Sequence, residues 1–174
     1  MTNLINSVKD PHTMVDVAIH LSQYGRDYYL RCKDFVKDVE LITIFSCLAA
    51  EEEKHIGLYR SIRECYTEDE DVPPQVELVG EYGRFVEMIS QGVKKDLQLL
   101  QMLSVDDAVR RAIQFEKDKL ILLLEAQGLF KKPQILEELR TLCATQKKNI
   151  FRLIEVTEKF SHSELNLTGD KTCG

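Results

Sequence analysis

Four stretches of the chain carry apolar residues at alternating spacings of four and three. That period keeps one stripe of a helix facing its neighbours, and four such stripes are best buried against one another. On the second stretch the stripe reads Leu41, Phe45, Leu48, Glu52, His55, Tyr59, Ile62, and on the fourth Ile135, Leu139, Leu142, Gln146, Asn149, Leu153, Val156. On the third it reads Val109, Ile113, Glu116, Leu120, Leu123, and on the first Val15, Ala18, Ser22, Gly25, Tyr29, Cys32. The expectation is an all-α, four-helix fold.

Local signals set the ends. Asp10-Pro11 supplies a capping carboxylate and a first-turn proline, opening a helix to about Cys32. Asp38 caps a second, to about Cys65. Ser104 and Asp107 form a capping box for a third, from Val105 to about Gln127, where Gly128 ends it by tolerating the left-handed conformation. Pro133 starts a fourth, to about Phe160. Short loops make each pair an antiparallel hairpin. Between the pairs lies Tyr66 to Leu103, with an acidic opening, Pro73-Pro74 and a short helix expected from about Glu77 to Ser90. A connector this long can return along a helix of about 40 Å and leave helices two and three parallel. Residues 1–160 read as one domain, and the polar residues 161–174 as a disordered tail.

The charge balance of -6 argues against a nucleic-acid partner, which needs clustered Lys and Arg. The apolar run Leu120 to Leu124 is too short to span a membrane, and the first ten residues lack a signal-peptide pattern. Cys32, Cys47, Cys65, Cys143 and Cys173 include no C-x-x-C pair, which argues against a zinc ribbon or a rubredoxin-type iron site. An odd cysteine count without a secretion signal fits a cytoplasmic protein.

Every stripe turns polar near its middle, at Ser22, Glu52, His55, Glu116, Gln146 and Asn149. One buried polar residue means little, because such groups are usually hydrogen-bonded within the core. Four interruptions at matching depth ask for more. A buried carboxylate needs a metal, a proton or a basic partner. The two hairpins also repeat. Laying Ser22 on Glu116 puts Glu52 on Gln146 and His55 on Asn149 without a gap. It also aligns Ala18 with Ala112, Ile19 with Ile113, Leu48 with Leu142, Lys54 with Lys148 and Ile56 with Ile150. The implied ancestral unit carries Glu on its first helix and Glu-x-x-His on its second, the ligand pattern of two-metal carboxylate bundles.

On these residues the chain resembles the rubrerythrin family of the ferritin-like superfamily. The matching stretches are Ala18-Ile19 through Gly25 to Tyr28-Tyr29, Glu51 to His55, and Ala112 to Asp118, with Glu81-Tyr82-Gly83-Arg84-Phe85 in the crossover. The resemblance covers about residues 10 to 160 and implies a ferritin-like four-helix bundle, two αα-hairpins joined by one long crossover containing a short helix. It also implies a homodimer and peroxide reduction at a di-iron centre. An external electron donor would be needed, since no rubredoxin module accompanies the bundle.

Glu52, His55 and Glu116 fit the family's metal ligands. Ser22 and Gln146 stand where Glu is expected, and Asn149 where His is expected. Three readings stay open. Two metals would lack carboxylates, since four positive charges would meet two negative ones. One divalent ion, iron, manganese or zinc, on Glu52, His55 and Glu116 is charge-balanced and would leave weak or no peroxidase activity. In a metal-free core, acting as a protein-interaction module, a shared proton or Lys119, one turn after Glu116, would replace the metal's charge.

The remaining polar residues have plainer readings. His20 lies about 200° around the helix from Ser22 and belongs on the surface. Tyr28, Tyr29 and Tyr59 read as core aromatics, with an electron-relay role open to Tyr29 and Tyr59. Cys32, Cys47 and Cys143 read as small buried residues. Glu51 and Glu53 belong to a solvated face, and the stripe singles out Glu52.

Overall fold

The computed structural model describes residues 11–65, 88, 89, 91, 92, 95 and 104–168, with side chains described for 14–65, those five crossover positions and 104–159. Four long helices emerge: α1 (Pro11–Phe35), α2 (Val39–Cys65), α3 (Val105–Gln127) and α4 (Pro133–Thr168). Among the described residues there is no strand. The proposed Asp10 cap and most of the crossover lie outside the described residues. Met88, Ile89, Gln91, Gly92 and Lys95 are helical, and Ile89 is buried. None of the described helices is long and apolar enough to cross a membrane.

The caps form as their chemistry requires. The Leu41 amide donates to Asp38 Oδ1 at 2.9 Å, satisfying one of the free donors of α2. Ser104 accepts from the Asp107 amide at 3.1 Å while Asp107 reaches back to the Ser104 amide, a reciprocal box. Gly128 ends α3 for a different reason from the one expected. Its φ and ψ of -71° and -16° are right-handed, and its amide donates to Glu125 O at 3.1 Å in a tight closing turn. A Cβ at Gly128 would sit 3.3 Å from that same carbonyl oxygen, and the right-handed backbone there does not require glycine. Helix α4 continues to Thr168, through the first eight residues of the stretch expected to be a disordered tail. Nothing between Phe160 and Thr168 breaks a helix, and Gly169 follows.

The tightest pairings are α1 with α2 and α3 with α4, and contacts of α1 with α3 and α2 with α4 complete the ring. Named contacts fix the directions. Asp16 meets Arg63 and Arg26 meets Glu53, so α1 and α2 run antiparallel. Tyr28 donates to Ala108 O at 2.9 Å, whereas Gly25 abuts Phe115, so α1 and α3 are antiparallel too. Helices α2 and α3 are therefore parallel diagonal partners, as the long crossover requires. Lys132, just after α3, agrees by donating to Cys65 O at the end of α2, 2.8 Å away.

The core fills the space between the four stripes. All stripe residues expected on α1, α2 and α4 are buried. On α3 the buried stripe is Ala108, Ala112, Phe115, Glu116, Lys119, Leu122, Leu123 and Ala126, alongside Val109. Ile113 and Leu120, expected on that seam, are only half-buried. The helix is turned so that Lys119 points inward.

Candidate functional site

The antiparallel neighbours put equivalent stripe positions at one height. Gly25 lies against Phe115 and Glu52, Lys119 reaches Glu52, and Glu116 meets Tyr29 and Asn149. The buried polar or charged side chains among the described residues are Ser22, Glu52, His55, Glu116, Lys119, Gln146 and Asn149, each 3% exposed or less. All six residues expected from the sequence thus face the core at mid-height, and Lys119 joins them.

The contacts divide the two carboxylates. Lys119 Nζ donates to Glu52 Oε1. The same ammonium lies 5.4 Å from the centre of the Phe115 ring, within cation–π range. His55 Nδ1 stands 3.6 Å from Glu52 Oε2, beyond hydrogen-bonding distance. Glu116 is served from elsewhere. Tyr29 O–H donates to its Oε1, and Asn149 Nδ2 approaches its Oε2 at 3.4 Å. Tyr29 is itself fully buried, stacked on Phe45 and edge-on to Tyr28 and Phe115.

Electrostatics follow from this division. Burial raises the Glu52 carboxyl, but the Lys119 ammonium and then His55 outweigh it and hold it down at about 2. Burial also raises Glu116. There Lys119 opposes the rise, the Glu52 charge adds to it, and the carboxyl stands at about 7. Burial, then the charges of Glu116 and Glu52, push the Tyr29 phenol well above its ordinary range. One of the two carboxylates therefore keeps its charge against a lysine, and the other is where a proton is most easily held.

The donors as arranged do not fit a divalent cation. Glu52 Oε1 is taken by an ammonium, and both oxygens of Glu116 face neutral donors. Two carboxylates beside one ammonium leave a single net negative charge, so a dication would bury an uncompensated positive charge. Among the described residues no group of three His, Cys, Asp or Glu side chains stands in metal-holding geometry. Ser22 Oγ, Glu52 Oε2, His55 Nδ1, both amide atoms of Gln146 and Asn149 Oδ1 have no hydrogen-bond partner. Ser22 and Gln146 thus keep buried polar atoms that no neighbouring side chain pairs.

Lys119 was legible as a charge near Glu116 but not as a seam residue. An aliphatic reading of α3 prefers Leu120, although Ala112, Glu116, Lys119 and Leu123 keep the same four-and-three spacing. The crowding of Phe115 against Gly25 had no signal beyond the glycine itself. His20 is exposed and pairs with Gln23. Cys32 and Cys143 are buried as expected, whereas Cys47 is exposed, because Leu48 rather than Cys47 takes the inward position of that turn. Glu53 is exposed on Arg26, and Glu51 is half-buried near Arg152. Tyr59 is buried, and Cys173 lies outside the described residues.

Comparison of the chain with protein-family models, with curated proteins and with solved structures finds no match.

Proposed function

We propose that the chain is a rubrerythrin-like member of the ferritin-like superfamily that keeps the bundle and has exchanged its metal chemistry for an internal ion pair. The observation that carries this reading is the buried bond from Lys119 Nζ to Glu52. The partner of this permanent organic cation, Glu52, is a carboxylate that the family's ligand pattern would give to a metal. The internal repeat and the parallel diagonal of α2 and α3 support the ferritin-like assignment. In this reading the protein carries out no di-iron peroxide reduction and acts through association, as a homodimer or with another protein. Ile121 and Leu124, one turn apart on the outer side of α3, and Phe151 on α4 offer exposed apolar surface for it.

A second reading, one divalent ion on Glu52, His55 and Glu116, draws on His55 Nδ1 and Glu52 Oε2, which face each other at 3.6 Å without partners. Anaerobic metal analysis of freshly purified protein separates the two. Substoichiometric iron, manganese and zinc, with no peroxide turnover from a supplied reductant, is the expected result. One tightly held equivalent would favour the second reading. Robust iron-dependent peroxide turnover would defeat both.

A further inference from the structure

The alignment that lays Ser22 on Glu116 also lays Gly25 on Lys119. Four equivalent pairs then line the seam: Ser22 with Glu116, Gly25 with Lys119, Glu52 with Gln146 and His55 with Asn149. Each pair has one ionisable member and one neutral member. The two halves have diverged in a complementary way, and the Gly25–Lys119 pair shows how space is shared. A Cβ at Gly25 would lie 2.6 Å from Phe115 Cε1 and 3.2 Å from Glu52 Oε1. Glu52 Oε1 is the atom that accepts from Lys119. The side chain missing from one half therefore leaves room for the ion pair built by the other.

We infer that Lys119 is a lock on a latent divalent-cation site: its ammonium occupies Glu52, and removing it frees Glu52, His55 and Glu116 for one dication. This rests on the metal-free reading above and goes further, because it names the single residue that enforces that state. Two of the three donors already face each other, His55 Nδ1 lying 3.6 Å from Glu52 Oε2. Glu52 Oε2 and His55 Nδ1 are buried and unpartnered, and Glu116 lies one helical turn before Lys119 on the same inward stripe. Without the ammonium, two carboxylates and one imidazole match the charge and donor preference of a manganese(II)-type ion.

The test uses the full-length chain as wild type, Lys119→Met and Lys119→Arg. Manganese(II) uptake is measured by calorimetry, and cobalt(II) uptake by visible absorption. The wild type and Lys119→Arg are expected to take no stoichiometric ion. Lys119→Met should take one equivalent, with a melting temperature that climbs as manganese(II) is raised to about 100 times its Kd. Adding Glu52→Gln to Lys119→Met should abolish the uptake, and uptake that persists there overturns the assignment of the site. If the wild type takes one equivalent as readily as Lys119→Met, the metal-free reading falls and the lock with it. If neither takes an ion, the metal-free reading stands and only the lock is overturned. Should Lys119→Met be unfolded alone, circular dichroism with and without manganese(II) decides: folding on addition of the ion supports the lock, and a chain unfolded under both conditions overturns it.

Discussion

Replacing Glu116 by Gln should flatten a fall in stability that the wild type shows between about pH 4.5 and 7. The Glu116 carboxyl is raised from an ordinary 4.5 to about 7 by burial and by the Glu52 charge. A carboxyl raised on folding binds its proton more tightly in the native state. Its contribution is complete below the unfolded value and is lost as pH rises through the folded one. At about 1.4 kcal/mol per pH unit, the interval from 4.5 to about 7 amounts to about 3 kcal/mol. The geometry accommodates the proton. Tyr29 already donates to Oε1, and Asn149 Oδ1 lacks a partner, so a turned-over Asn149 amide can accept from protonated Glu116. Glutamine mimics that protonated acid in shape and charge. Urea unfolding at half-unit steps from pH 4.5 to 8 should show the variant gaining about 3 kcal/mol on the wild type across the interval. Equal slopes in the two proteins would refute the argument.

Lys119→Met, measured by denaturant unfolding without added metal, should cost about 3–5 kcal/mol, because it leaves Glu52 charged and alone in the core. Pairing it with Glu52→Gln should recover much of that loss, and a double variant as unstable as the single one would count against the ion pair. Gly25→Ala should cost about 1–3 kcal/mol by thermal unfolding, since its Cβ meets Phe115 and Glu52 below contact distance; an unchanged melting point would show that Phe115 yields freely. Ser104→Ala should cost about 1 kcal/mol through the lost capping box at the start of α3. Its effect should be additive with any seam variant, as it shares no partner with the seam.

The bundle was legible because its determinants are local and redundant. Asp38, Ser104, Asp107 and Pro133 each name a helix start through their own backbone chemistry. The stripes on α1, α2 and α4 are unambiguous, because their inward positions differ sharply from the charged residues beside them. On α3 the code is degenerate. Phe115, Glu116, Lys119, Leu120, Leu122 and Leu123 allow two stripes one residue apart, and apolarity alone selects the one through Leu120. What decides between them lies on other helices: the space above Gly25 and the Glu52 carboxylate waiting across the diagonal. No helix read by itself contains that information. At the end of α4 the sequence is permissive, because the polar residues 161–168 contain no helix breaker and Gly169 is the first glycine after Pro133.

The same polar contacts also explain why the seam tolerates so much buried polarity. An ion pair in a core contributes little net stability over an apolar replacement, yet it penalises arrangements that separate its members. Sliding α3 by one turn against α2 would carry Lys119 about 5.4 Å from its present height and leave Glu52 without a cation. Sliding α4 would remove Asn149 from Glu116, and sliding α1 would replace Gly25 by a side chain that collides with Phe115 and Glu52. Three distinct penalties therefore hold the four helices in register, whereas the Leu and Ile rows above and below would repack with modest loss. Complementary charge in one half and missing bulk in the other hold the four helices at one height.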